Sequence, residues 1–170
     1  DQRYNSNGLV NTKSEPYYKG DEPWWTRYEY DSACRLVKER KPDGSEMSIS
    51  YDGLTTVNTD ANGNVSSKTY DIDGNLVKST DAMNGSVVYS YDTAGKCVRI
   101  AGPRTTISME YDRFGNMTKL FDPDMGTMEY KYSPYGEVEE CTDSKGTTRY
   151  EYDQLGRLTC ERRPDQSYTY

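Results

Sequence analysis

In this chain of 170 residues, the groups able to do chemistry are 28 aspartates and glutamates, four cysteines and a set of rings in which 17 tyrosines dominate. There is no histidine. That removes Ser-His-Asp and Cys-His triads, His-ligated zinc and imidazole acid–base catalysis together. Among the acids, Asp71-Ile72-Asp73-Gly74-Asn75 begins like a calcium loop, and Asp60-Ala61-Asn62-Gly63-Asn64 is similar. An EF-hand needs glycine at the sixth place and a bidentate glutamate at the twelfth. Here glycine stands fourth, and the twelfth residue from Asp71 is Ala82. The same Asp-x-x-Gly spacing recurs without the second acid, so it reads as a turn. The carboxylate accepts backbone N–H groups and glycine supplies a positive φ. A glycosidase needs two carboxyl groups across a cleft. Neighbours such as Glu139-Glu140 arise by chance among so many acids, most aspartates belong to turns, and most glutamates alternate onto a polar face. No catalytic, cofactor-binding or metal-ligating residue is predicted, and no enzyme activity.

Cys34, Cys97, Cys141 and Cys160 form no C-x-x-C, which argues against a zinc ribbon or a thioredoxin-like centre. Cys97 fits a small buried apolar role and Cys34 a turn. Cys141 and Cys160 sit at similar places in adjacent repeats, which raises the expectation of a disulfide between them. Both tryptophans fall in one stretch, Glu15 to Trp25, within an insertion over 11–27. Two readings stand for it: a cap over the first sheet edge, or an aromatic platform of Tyr17, Tyr18, Trp24 and Trp25 for a glycan or peptide.

The elements that hold these groups follow from the tyrosines. Tyr4, Tyr30, Tyr51, Tyr70, Tyr91, Tyr111, Tyr132, Tyr152 and Tyr170 are successive marks, spaced 18 to 21 residues apart after a first gap of 26. A fixed period near 20 is the signature of a repeat architecture. Eight marks open a heptad, Tyr-Asp-x-x-Gly-polar-apolar, clearest in Tyr70-Asp71 with Gly74, Tyr91-Asp92 with Gly95, Tyr111-Asp112 with Gly115, Tyr132 with Gly136, and Tyr152-Asp153 with Gly156. Two copies are degenerate: Tyr30-Asp31 has Cys34 in place of glycine, and Tyr51-Asp52 has Thr55. The apolar residue two after the glycine restarts the buried face: Val10, Leu36, Val57, Leu76, Cys97, Met117, Val138 and Leu158. Residues before each tyrosine alternate, as in Ile107-Met109-Tyr111 against Ser108 and Glu110, which is a strand with one buried face.

A second turn falls mid-repeat in six copies, at Asp43-Gly44, Asn62-Gly63, Asn84-Gly85, Gly102-Pro103, Met125-Gly126 and Lys145-Gly146. Each repeat therefore reads strand, turn, strand, turn. The fold class expected is all-β, an antiparallel β-hairpin repeat array of roughly 14–16 short strands, forming a curved or spiralling sheet in a single domain over 1–170. No stretch holds a helical period past two turns. The low apolar content, 33%, and mean hydropathy of −1.03 would suggest disorder, but the tyrosines suit a thin, half-wet β structure. No apolar run is long enough for a membrane helix. No basic and apolar leader opens the chain at Asp1, so a secretion signal is expected to be missing or already removed. A net charge of −7 argues against a nucleic-acid partner.

The heptad at this period resembles the YD repeat of the Rhs family, which includes bacterial Rhs polymorphic toxins, the C components of insecticidal toxin complexes and the teneurins. Seven of the eight heptads keep Asp or Asn after the tyrosine, Ser133 being the exception, and the resemblance covers Tyr4 to Tyr170. It implies a scaffold: a β-sheet that spirals into a hollow shell, on a secreted or cell-surface protein. The family's C-terminal core motif is missing, Asp122-Pro123-Asp124-Met125-Gly126 being a superficial echo, and the repeats are fewer than a closed shell needs. The expected role is a non-enzymatic wall module whose partners are other segments of a longer YD chain, or a second copy joined through open strand edges. The alternative is a carbohydrate- or protein-binding surface using exposed aromatics. No cofactor is expected.

Overall fold

The computed structural model describes residues 1–169; Tyr170, the last repeat mark, lies outside them. Among the described residues there are seventeen strands and no helix. The chain groups into two compact units, Asp1–Ser86 and Val87–Tyr170. The first holds β1 (Gln2–Tyr4), β2 (Val10–Ser14), β3 (Trp25–Tyr30), β4 (Leu36–Arg40), β5 (Glu46–Asp52), β6 (Thr55–Thr59), β7 (Val65–Tyr70) and β8 (Leu76–Thr80). The second, from the strand that begins at Ser86, holds β9 (Ser86–Tyr91), β10 (Cys97–Ala101), β11 (Thr106–Tyr111), β12 (Met117–Asp122), β13 (Gly126–Tyr132), β14 (Val138–Asp143), β15 (Gly146–Tyr152), β16 (Leu158–Arg162) and β17 (Ser167–Thr169). Within each unit every strand pairs antiparallel with the next in sequence. The count exceeds the expected 14–16 because three-residue strands form at both ends of the described chain.

The repeat tyrosine is the last residue of the strand before each heptad turn in seven of the eight copies; after Tyr51 the strand runs one residue further, to Asp52. In those seven it pairs with the restart residue six positions on, as in Tyr132↔Val138 and Tyr152↔Leu158, and a bulge follows. A bulge sets two residues of one strand against one of its partner and increases the local twist. The copy at Tyr51 departs from the expectation. Gly53, at φ 55, opens a two-residue turn, so Tyr51 pairs with Thr56, and Val57, expected to restart the tyrosine face, pairs with Ser50. Glycine at the first central position is what a type II′ hairpin requires.

The tyrosine face is half-buried rather than buried. Tyr30, Tyr51, Tyr70, Tyr91, Tyr111, Tyr132 and Tyr152 all have intermediate exposure, while Tyr4 is 60% exposed. Cys160 is the one buried hydrophobic residue among those described. Within each unit the strands pair edge to edge in sheet, and the described tyrosines of the face stay half-exposed. In the unit from Val87 the rows across that face are largely apolar up to β15: Tyr89–Ile100–Ile107 and Met109–Leu120–Met128, then Tyr130–Cys141–Thr148. In the unit from Asp1 they are mixed: Tyr28–Glu39–Met47 and Ile49–Asn58–Ser66. Glu39 and Glu161, the latter opposite Tyr150, thus sit on the tyrosine side, although alternation assigned glutamates to the polar one.

Candidate functional site

The recurring side-chain contact is a tie between neighbouring hairpins. The Tyr30 hydroxyl donates to the Val10 carbonyl at 2.9 Å, Tyr51 to Leu36 at 2.9 Å, Tyr111 to Cys97 at 3.0 Å, Tyr132 to Met117 at 2.8 Å and Tyr152 to Val138 at 3.0 Å. Every acceptor is a restart residue, and each lies two positions beyond the last pair of its ladder, such as Glu140↔Arg149 for Val138. The bulge turns that carbonyl out of the ladder, and an unpaired carbonyl in a half-dry place costs free energy. The phenol satisfies it from the next hairpin. Burial pushes the phenols of Tyr111, Tyr132 and Tyr152 up, so each stays protonated and able to donate. The heptad identified the restart residues only by their apolar side chains; the function of their carbonyls has no signature in residue type.

Tyr70 shows the rule by exception. The β6–β7 ladder runs unbroken from Thr59↔Val65 to Thr55↔Thr69, and the Tyr70 amide then donates to the Leu54 carbonyl at 3.0 Å. With no bulge in β6, no displaced restart carbonyl is left for a phenol.

The turns are built by the residue after the tyrosine. Asp31 Oδ1 accepts from the amides of Ala33 and Arg35, Asp71 from Asp73 and Asn75, Asp92 from Ala94 and Lys96, Asp112 from Phe114 and Asn116, and Asp153 from Leu155 and Arg157. In the Tyr132 copy the Ser133 hydroxyl takes the same two amides, of Tyr135 and Glu137, at 3.2 and 3.3 Å. Gly74, Gly95, Gly115, Gly136 and Gly156 hold positive φ. Cys34 replaces glycine at φ 61, a conformation that costs a residue with a Cβ about 1–2 kcal/mol. Asp52, by contrast, ends its strand opposite Thr55. Two mid-repeat turns use the same device: Asp60 accepts from Asn62 and Asn64, and Asp81 from Met83 and Gly85, with Asn84 in the left-handed region at φ 63. The Asn75 side chain and amide hold Asp71 below the usual carboxylate range, as Asn64 does Asp60, and the Arg35 amide and guanidinium do so for Asp31. Asp71 and Asp60, the start of the calcium-like loops, therefore spend their oxygens on their own turns.

Cys141 and Cys160 do not form the expected pair: all four cysteines are free. Cys141 lies opposite Thr148, on the tyrosine face of β15, whereas Cys160 lies opposite Glu151, on the other face. A strand's side chains alternate, so the sheet itself separates the two thiols. Glu140, one of the adjacent acids, accepts from Lys131 Nζ at 2.7 Å and Arg149 Nε at 2.9 Å, which lowers its pKa.

The four aromatics of the insertion are not brought together. Tyr17 donates to the Asp1 carboxylate and borders a groove of about 920 Å³ with Lys13, Thr26 and Tyr28. Tyr18 is 86% exposed. Trp24, 68% exposed, and Trp25 border a different groove of about 620 Å³ with Arg27, Arg40 and Lys41. The Arg3 guanidinium lies 4.2 Å from the Trp25 ring centroid. Arg27 and Arg40 went unremarked in the sequence, because their alignment depends on the register and bulge of the β3–β4 hairpin, closed by the Asp31–Arg35 turn.

Antiparallel hairpins in tandem, most of them turned by an Asp after the tyrosine and five of them tied by a phenol to the hairpin before, define a class of β-repeat wall. Residues 4–133 match the teneurin YD-shell family, and the chain belongs to it. Among solved structures, TcdB2-TccC3 is similar with a TM-score of 0.79 at 18% identity, over 99% of this chain and 11% of that one. The TcdB2-TccC3-TEV structure gives 0.80 at 17% identity over 99% and 11%, and the Photorhabdus luminescens Tc holotoxin pore 0.78 at 17% over 99% and 10%. At such identity the likeness is one of fold. The chain spans about a tenth of the length of the solved chains it matches. No curated protein matches the sequence.

Proposed function

We propose that this chain is a stretch of wall in a larger YD-shell protein, with a structural and non-catalytic role, working outside the cell or at its surface. The observation that carries the reading is the phenol-to-carbonyl tie. It recurs by one rule at five junctions, with the backbone ladder taking its place at Tyr70, so the array can lengthen hairpin by hairpin without a separate core. Stability then adds up from neighbour terms, as in other repeat proteins. The partners that fit are further hairpins of the same gene product, paired edge to edge with the terminal strands. The extracellular setting is the one the Rhs resemblance implies.

Electron microscopy of the full gene product tests this. Residues 4–169 should appear as an uninterrupted part of a larger β-sheet. A separate bead joined to the rest by a flexible tether would overturn the proposal.

A further inference from the structure

One row of cross-strand partners in the unit from Asp1 is unlike the others. On the face opposite Tyr28 and Tyr30, the register aligns Arg3, Thr12, Arg27 and Arg40 across β1 to β4. Arg27 and Arg40 are direct partners, and like charges placed opposite one another destabilise a sheet. Among the described residues neither forms an ion pair: Glu46, next in the row, is engaged by Lys38 at 2.9 Å. The Thr12 hydroxyl, between Arg3 and Arg27, is buried and without a hydrogen-bond partner. Buried polar atoms are nearly always paired, so an orphan calls for an explanation. Trp24 and Trp25 border one groove with Arg27, Arg40 and Lys41, which Asp43 also lines; Arg3 and Thr12 lie outside it. All this occurs in a chain with net charge −7.

We propose that this groove binds a short anionic saccharide, one or two sugar units carrying a carboxylate or a sulfate. Paired guanidiniums present planar forks that match a carboxylate or sulfate bidentately. The exposed Trp24 indole offers a flat apolar face to the C–H side of a pyranose, and Arg3 stacked on Trp25 stiffens the second indole. A bound anion relieves the Arg27–Arg40 repulsion. The overall negative charge disfavours long polyanions, since their outer charges would lie over an acidic surface. The assignment is independent of the wall reading and survives if that reading fails.

Trp24 and Trp25 are the only tryptophans, so intrinsic tryptophan fluorescence reports this groove alone. The purified chain is titrated with a galacturonate disaccharide, a heparin-derived disaccharide and neutral maltotriose. At least one anionic probe should give a saturable change that weakens with added salt, and maltotriose none. The two anionic arms distinguish carboxylate from sulfate. The double substitution Arg27→Gln/Arg40→Gln should weaken binding about tenfold or more, while thermal stability holds or rises. Trp24→Ala should weaken it too, read from the remaining Trp25. The proposal fails if no anionic probe saturates, if maltotriose binds equally, if the arginine substitutions leave affinity unchanged, or if a mononucleotide or phosphopeptide binds tighter than either saccharide.

Discussion

The hairpin after Tyr51 and the hairpin after Tyr132 start from the same residue and end in different structures. At Tyr132 a four-residue turn closed by Ser133 and Gly136 forces a bulge, and the freed carbonyl of Val138 is collected by Tyr152. At Tyr51 the two-residue Gly53–Leu54 turn lets β5, β6 and β7 pair without a bulge. The lesson is that the turn, more than the tyrosine, decides how successive hairpins are tied. The bulged hairpin is tied by a tyrosine hydroxyl; the flush one is joined by its backbone ladder and a Thr55–Thr69 hydroxyl contact at 3.0 Å.

Acid should separate the two junctions most strongly. The turn carboxylates of Asp31, Asp60, Asp71 and Asp153 have pKa values lowered in the fold by hydrogen bonds from their own turns. Asp112 is also lowered, with desolvation opposing and the Asn116 hydrogen bonds prevailing. A depressed carboxylate contributes stability that is present above its unfolded pKa, about 3.9, and is lost as pH falls through the folded value. Thermal stability should therefore be flat near neutrality and fall steeply below about pH 4. By hydrogen exchange at low pH, amides around Gly53–Leu54 should stay protected after those of the Asp71 and Asp153 turns have opened. Asp71→Asn should keep its turn in acid, since Asn5 already builds the same turn with an amide oxygen.

Next in size is the tie itself. Tyr132→Phe leaves the Met117 carbonyl without its donor and should cost about 1–2 kcal/mol in denaturant unfolding. Tyr70→Phe should cost less than about 0.5 kcal/mol. Equal losses at the two sites would undo the comparison. A smaller gain is expected at the strained copy: Cys34→Gly should stabilise by about 1 kcal/mol, because glycine holds φ 61 without a Cβ clash. Smallest of all, Phe114→Ser, at a turn tip that is 75% exposed, should stay within about 0.5 kcal/mol of the parent.

Much of this architecture was legible in the residues. The tyrosine period, the Asp-x-x-Gly turns and the alternation in β9, β11, β13 and β15 foretell antiparallel hairpins, because each is a local rule acting within a few residues. The degenerate Tyr51 copy misleads for the same reason: its glycine at position 53 selects a shorter turn, and the register of that one hairpin slides by one before Tyr70↔Leu76 restores the rule. The expected disulfide fails because periodicity gives position along the chain but not the face, which a bulge between Glu151 and Tyr152 helps to set.

By itself, then, the sequence determined the repeat, its turns and the side on which the tyrosines align, since these depend on backbone preferences and on alternation. Only the tertiary structure decided what the hydroxyls reach, which face each thiol occupies, and that Arg27 meets Arg40 beside two indoles. Those depend on strand register, and register is fixed by how each turn closes and where it bulges rather than by any residue taken alone.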